Sequence, residues 1–144
     1  MKKICILILS IFLLSLCVYA EHDERFFNAL TSCSQYTSNG TIDTQGVTVD
    51  YSSQILGKTN NKCVYKKHIT FSGIDSCVTC EFTQKQINEL TRVMRAYKVL
   101  QDYTEEDIDL SNPENVKDNP VIKVWNKYIQ DPSTCKMVIE EIQN

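Results

Sequence analysis

Histidine, proline and glycine are scarce in this chain of 144 residues, at two, three and four, and each shortage excludes chemistry. With two histidines, one of them close to the N-terminus, a Ser-His-Asp or Cys-His catalytic system has only His68 to rest on. The glycines form no phosphate-cradling loop, and neither an HExxH zinc helix nor a GxSxG turn occurs. A carboxylate pair could cleave glycosides without histidine, but eighteen acids single out no pair. There is no concentrated basic stretch, so nothing points to a nucleic-acid partner. Repeats, low-complexity runs and an interdomain linker are missing as well.

What is present begins with a leader. Lys2 and Lys3 precede an apolar run from Ile4 to Val18, interrupted only by Ser10 and Ser15, and Val18-Tyr19-Ala20 closes it. This is the pattern of a secretory signal peptide cleaved after Ala20. A retained membrane anchor would need roughly twenty apolar residues, and lipidation at Cys17 would need a small residue where Leu16 stands. The expectation is a secreted or periplasmic protein, with residues 1–20 as signal and 21–144 as a single domain. The mature portion holds thirteen basic and eighteen acidic residues, a net charge of −5, and five cysteines. A domain of this length can bury an ordinary core unaided, so the cysteines reinforce it.

The periodicity divides the chain. In residues 22–35, Phe26, Leu30 and Cys33 recur at helical spacing before the turn-forming Thr37-Ser38-Asn39-Gly40. Val47, Val49 and Tyr51 then alternate with polar residues, and so do Cys63, Tyr65, Ile69 and Phe71 with Lys66, His68 and Thr70. Gly57 to Asn61 and Ser72 to Asp75 supply turns, and a third run spans Cys77 to Phe82. Three strands joined this closely form an antiparallel meander. Thr83 and Gln86 make a capping box, opening a helix to about Gln101 with Ile87, Leu90, Met94 and Tyr97 on one stripe. Residues 101–119 are acidic and irregular. Pro120 suits the first turn of a helix carrying Val121, Val124, Trp125, Tyr128 and Ile129. Asp131-Pro132 ends it and caps a last helix with Cys135, Val138, Ile139 and Ile142 on one face. The expected fold is α+β: a three-stranded antiparallel meander packed by an amphipathic helix, with N-terminal and C-terminal helices, stapled by disulfides.

In the stretch SCVTCEF, Cys77 and Cys80 are two residues apart. A thioredoxin-type pair places its first cysteine at a helix N-terminus, but here the helix starts only at Thr83. Structural zinc wants four Cys or His ligands in close pairs, and this chain has one close pair. Residues three apart on a strand point to opposite faces. Cys80 shares parity with the inward Val78 and Phe82, so Cys33, Cys63, Cys80 and Cys135 form the expected two-bridge set. Cys77 is the odd cysteine, available for an intermolecular bond or a thiol reagent. Which of the four joins which is not fixed by spacing.

Three further stretches imitate sites. Asp107, Asp109 and Ser111, with Asp118 beyond, follow the spacing of an EF-hand loop, but Asn112 occupies the position that needs glycine. Were the leader cut after Tyr19, His22 would be the third residue and could hold Cu²⁺ in a square plane. Asn39-Gly40-Thr41 is a glycosylation acceptor in a eukaryotic host. No cofactor or metal is expected.

Residues 58–98 carry eight basic and three acidic side chains, whereas 99–118 carry seven acidic and one basic. Lys66, Lys67, His68, Arg92 and Arg95 could therefore form a surface for an unknown protein or an anionic envelope component, the bland reading being solvated charges that serve solubility. The sequence thus reads as a small exported module, binding or structural rather than enzymatic. The alternatives are a thiol-redox protein using Cys77 and Cys80, or an envelope enzyme of unknown chemistry.

Overall fold

The computed structural model of the chain describes residues 24–44, 46–104 and 118–142. The predicted leader, His22 and the EF-hand-like residues Asp107, Asp109 and Ser111 lie outside them. Among the described residues the order is α1 (Glu24–Ser32), β1 (Tyr36–Thr44), β2 (Val47–Thr59), β3 (Lys62–Phe71), β4 (Ile74–Phe82), α2 (Gln84–Thr104), α3 (Pro120–Ile129) and β5 (Cys135–Glu141). The fold is α+β, and its sheet has five strands in the order β1-β2-β3-β4-β5, every neighbouring pair antiparallel. No described helix is long and apolar enough to cross a membrane.

The three expected strands are present, and two more flank them. Thr37-Ser38-Asn39-Gly40, expected as a turn, instead lies within the edge strand β1, in which Gly40 pairs with Tyr51. The glycine is there for space: a Cβ on Gly40 would lie 2.6 Å from Tyr51 Oη. The C-terminal helix expected over Cys135 to Ile142 is the strand β5. Its apolar residues fit two periods, since Cys135, Met137 and Ile139 also alternate with Lys136, Val138 and Glu140. The uncovered edge of β4 decides for the strand.

The hairpins are tight. Asn60 and Asn61 both have positive φ between β2 and β3, as do Ser72 and Gly73 between β3 and β4, the conformation that matches strand twist in two-residue turns. Leu56 is an extra residue in β2, because Ile55 pairs with Tyr65 and Gly57 already with Val64.

One sheet face is sealed by the helices. Phe26 and Leu30 of α1, Ile87, Leu90 and Met94 of α2, and Val121, Trp125 and Ile129 of α3 form a single core with Ile55, Tyr65, Ile69, Val78 and Phe82 of the sheet. Aromatic rings run through it: Phe26 meets Tyr65 at 6.1 Å, Tyr65 meets Trp125 at 5.4 Å, and Trp125 meets Phe82 at 5.8 Å between centroids. The helix starts are capped as their sequences dictate. Gln86 Oε1 accepts from the Thr83 amide at 2.8 Å and the Gln86 amide donates to Thr83 Oγ1 at 3.3 Å, while Asn119 Oδ1 accepts from the Val121 amide at 2.9 Å.

Two disulfides bind this frame, Cys33 to Cys63 and Cys80 to Cys135. The first ties α1 to β3, and the second staples β5 onto β4 from inside the core. Cys77 is free and partly exposed.

Candidate functional site

The sheet face opposite the helices is polar and solvated. In β3 the odd-numbered residues Cys63, Tyr65, Lys67, Ile69 and Phe71 are buried under the helices, so Val64, Lys66, His68 and Thr70 stand on the open side. Strand registry extends this into rows, because residues paired across strands share a face. One row runs Thr37, Gln54, Lys66, Thr79, Lys136; the next runs Asn39, Ser52, His68, Cys77, Val138; a third runs Thr41, Asp50, Thr70, Asp75, Glu140. The first row carries lysines on both sides of Thr79, and the third carries three acids.

Hydroxyls and neighbouring charges hold the acids in place. Thr41 Oγ1 donates to Asp50 at 2.7 Å, Thr48 Oγ1 donates to Asp43 at 2.7 Å, and Thr70 Oγ1 donates to Asp75 at 3.2 Å. His68 Nε2 lies 2.9 Å from Asp75 Oδ1, and Lys62 Nζ lies 3.8 Å from Glu81. Lys66 and Lys136 are exposed, with polar uncharged residues beside them in their row. The face therefore presents a basic row, a His68 and Cys77 row, and an acidic row in succession.

The basic surface anticipated from sequence does not form as one patch. Lys66 and His68 are on the open face. Lys67 is fully buried on the other side of the sheet, where its ammonium lies 4.9 Å from the centre of the Tyr51 ring. Its parity decides this: it sits between Tyr65 and Ile69 on the inward register, so it is not part of a binding surface. Arg92 and Arg95 are exposed on α2, in the helical layer, with the sheet between them and Lys66. Arg95 lies over the Phe27 ring at 4.8 Å, tying α2 to α1. Lys136, meanwhile, belongs to the open face, a place that a helical reading of residues 135–142 hides. Its alternation with Met137 is the signal that locates it.

Cys77 faces outward between His68 and Val138, whereas Cys80, bonded to Cys135, faces the core. Cys77 and Cys80 are not joined to each other, so the face offers a single thiol. Among the described residues no group of three His, Cys, Asp or Glu side chains could hold a metal ion.

A second polar cluster lies in the helical layer. Glu89 of α2 accepts a short hydrogen bond from Tyr128 Oη, and Lys127 Nζ donates to it at 2.9 Å. The Tyr128 hydroxyl, then the Lys127 bond, hold the Glu89 carboxyl below its ordinary pKa; burial chiefly raises that of Tyr128. This is a helix-to-helix clamp between α2 and α3. Asp131, also lowered, accepts from Ser133 and Thr134 and shapes the turn into β5.

Compared with protein-family models, with curated proteins and with solved structures, the chain matches none of them.

Proposed function

We propose that the protein is a small exported module, secreted or periplasmic, whose work is binding or scaffolding by the open face of the sheet rather than catalysis. The observation that carries this reading is the asymmetry of the sheet: one face is sealed by three helices, while the other presents ordered rows of hydroxyl, basic and acidic side chains on rigid strands. Residues held on strands lose little freedom when a partner docks, which favours recognition. Exposed Lys66 and Lys136 beside Thr79, Gln54 and Thr37 suit an anionic, hydrogen-bonding partner, a protein or an envelope component. Two disulfides accord with an oxidising compartment.

The test follows from the two layers. Capture of a partner from envelope extract by the mature protein should be lost with Lys66→Glu plus Lys136→Glu and kept with Arg92→Glu plus Arg95→Glu. The reverse result moves the binding surface to the helices, and capture by neither face removes the reading.

A second reading rests on Cys77, which stands opposite His68 while His68 engages Asp75. With His68 as base, the Cys77 thiolate would attack a small-molecule disulfide, forming a mixed disulfide and releasing one thiolate. Unchanged rates of mixed-disulfide formation in His68→Ala would remove it.

A further inference from the structure

The outer edge of β5 is a sheet edge that its own sequence makes complementary to itself. Among the described residues no strand lies beyond β5, and Val138 at its centre is 56% exposed. An edge of this kind exposes unpaired amides and carbonyls, and natural edges are commonly blunted by lone charges. Here the charges are arranged differently. Lys136 and Glu140 lie two residues to either side of Val138, on the same face of the sheet.

We infer that the protein self-associates through β5, two copies pairing antiparallel about a two-fold axis at Val138, so that Lys136 of each copy stands opposite Glu140 of the other. The backbone direction fits this register. The Glu81 amide donates to the Thr134 carbonyl, and the Ile142 amide donates to the Gly73 carbonyl. The even-numbered residues of β5 thus spend their backbone groups on β4, and the odd-numbered ones aim theirs outward. About an axis at Val138, Met137 pairs with Ile139 of the other copy, and both are odd. Their amides and carbonyls exchange bonds, while the two Val138 side chains meet in the closely spaced, non-hydrogen-bonded pair at the centre.

Charge supports the same register. Within one chain Glu140 pairs with Asp75, a like charge, and Lys136 pairs with the neutral Thr79. A second copy sets an opposite charge beside each of them. The other sheet edge offers no such match, because β1 carries Asp43 and no basic residue. The resulting sheet would have ten strands, with the open faces of both copies continuous across the axis. A seven-residue strand pair is a small interface, so the association is reversible and concentration-dependent. Lys136 also stands in the basic row proposed above to bind a partner, whereas Glu140 does not, so loss of the dimer in Glu140→Lys reads the edge independently of that partner.

Charge exchange tests it in the oxidised, full mature chain by sedimentation equilibrium at low ionic strength. The wild type should dimerise between micromolar and millimolar concentration. Lys136→Glu and Glu140→Lys should each weaken the dimer by about tenfold or more, since two attractive pairs become repulsive. Mixing the two single variants makes every cross-strand pair attractive, so the mixture should associate as the wild type does, and so should the double variant. Both positions are exposed, and unchanged near-ultraviolet circular dichroism checks the fold. A wild type that stays monomeric throughout overturns the inference. So do single variants that dimerise as well as the wild type, or a mixture that fails to recover association.

Discussion

The ammonium nitrogen of Lys67 lies 4.9 Å from the centre of the Tyr51 ring, inside a core where Lys67 is fully buried. Lys66, its neighbour in sequence, is exposed on the opposite sheet face. A buried amine reacts only when the structure opens, whereas an exposed one reacts at once. An amine-acylating reagent should therefore modify Lys66 in the native protein at least about a hundredfold faster than Lys67. Peptide mapping reads both sites in one digest, and the difference should vanish in denaturant. Equal labelling of the two lysines in the native protein would contradict the inward register of β3.

Most of the central meander and the two longer helices are legible in the sequence, and the reason is local. Tyr65, Ile69 and Phe71 alternate cleanly, and Thr83 with Gln86 announces its helix through bonds that span three residues. The sheet edges are not legible, because their structure is decided by what they pair with. Gly40 reads as a turn residue until Tyr51 occupies the space above it. Cys135, Val138 and Ile142 read as a helical stripe until β4 offers an edge. The candidate surface is obscured for the same reason: Lys136 shows on the open face only once β5 is a strand, and charge alone says nothing of the burial of Lys67. Its parity with Tyr65 and Ile69 is the signal that places it inside.

Gly40→Ala should disturb Tyr51. The added Cβ would lie 2.6 Å from Tyr51 Oη and 2.8 Å from Cε1 and Cζ, so the ring must move from beside Lys67. A loss of about 1–3 kcal/mol is expected from the overpacking, partly offset by the backbone entropy that alanine removes from the unfolded chain. Urea denaturation measures it. Combined with Tyr51→Ala, the second substitution should cost little further, because the clash it would create is already gone.

The bond between Cys80 and Cys135 closes a stretch with a sequence separation of 55 and holds β5 to the sheet. Loop-closure entropy puts its stabilisation at about 4 kcal/mol. Replacing both cysteines with alanine should lower the unfolding free energy by an amount of that order and speed amide exchange at Val138 and Glu140, whose bonds run to β4, more than in β3. The Cys33–Cys63 pair, with a separation of 30, should leave β5 exchange nearly unchanged when it is removed. Hydrogen exchange with mass detection separates the two. Uniform acceleration in both variants would show that β5 does not depend on its staple.

Glu89 gives the fold an acid-sensitive joint between α2 and α3. Its carboxyl accepts from Tyr128 and Lys127 and is held below its ordinary value of 4.5. A carboxyl lowered in the folded state binds its proton less tightly than in the unfolded chain. Its stabilisation is therefore present above pH 4.5 and is lost as pH falls through the folded value. Asp131, lowered from 3.8 by Ser133 and Thr134, acts in the same direction, so the wild type alone does not isolate Glu89. The comparison with Glu89→Gln does. That variant keeps an acceptor for Tyr128 but has no charge to titrate, and it should be less stable at neutral pH by about 1 kcal/mol, the partial exposure of the site keeping the value small. The gap should close on acidification, as the wild-type carboxyl becomes neutral too. Urea midpoints of both proteins between neutral and strongly acidic pH measure the gap. A constant gap across that range would mean that the clamp works by shape and hydrogen bonding, with the charge contributing nothing.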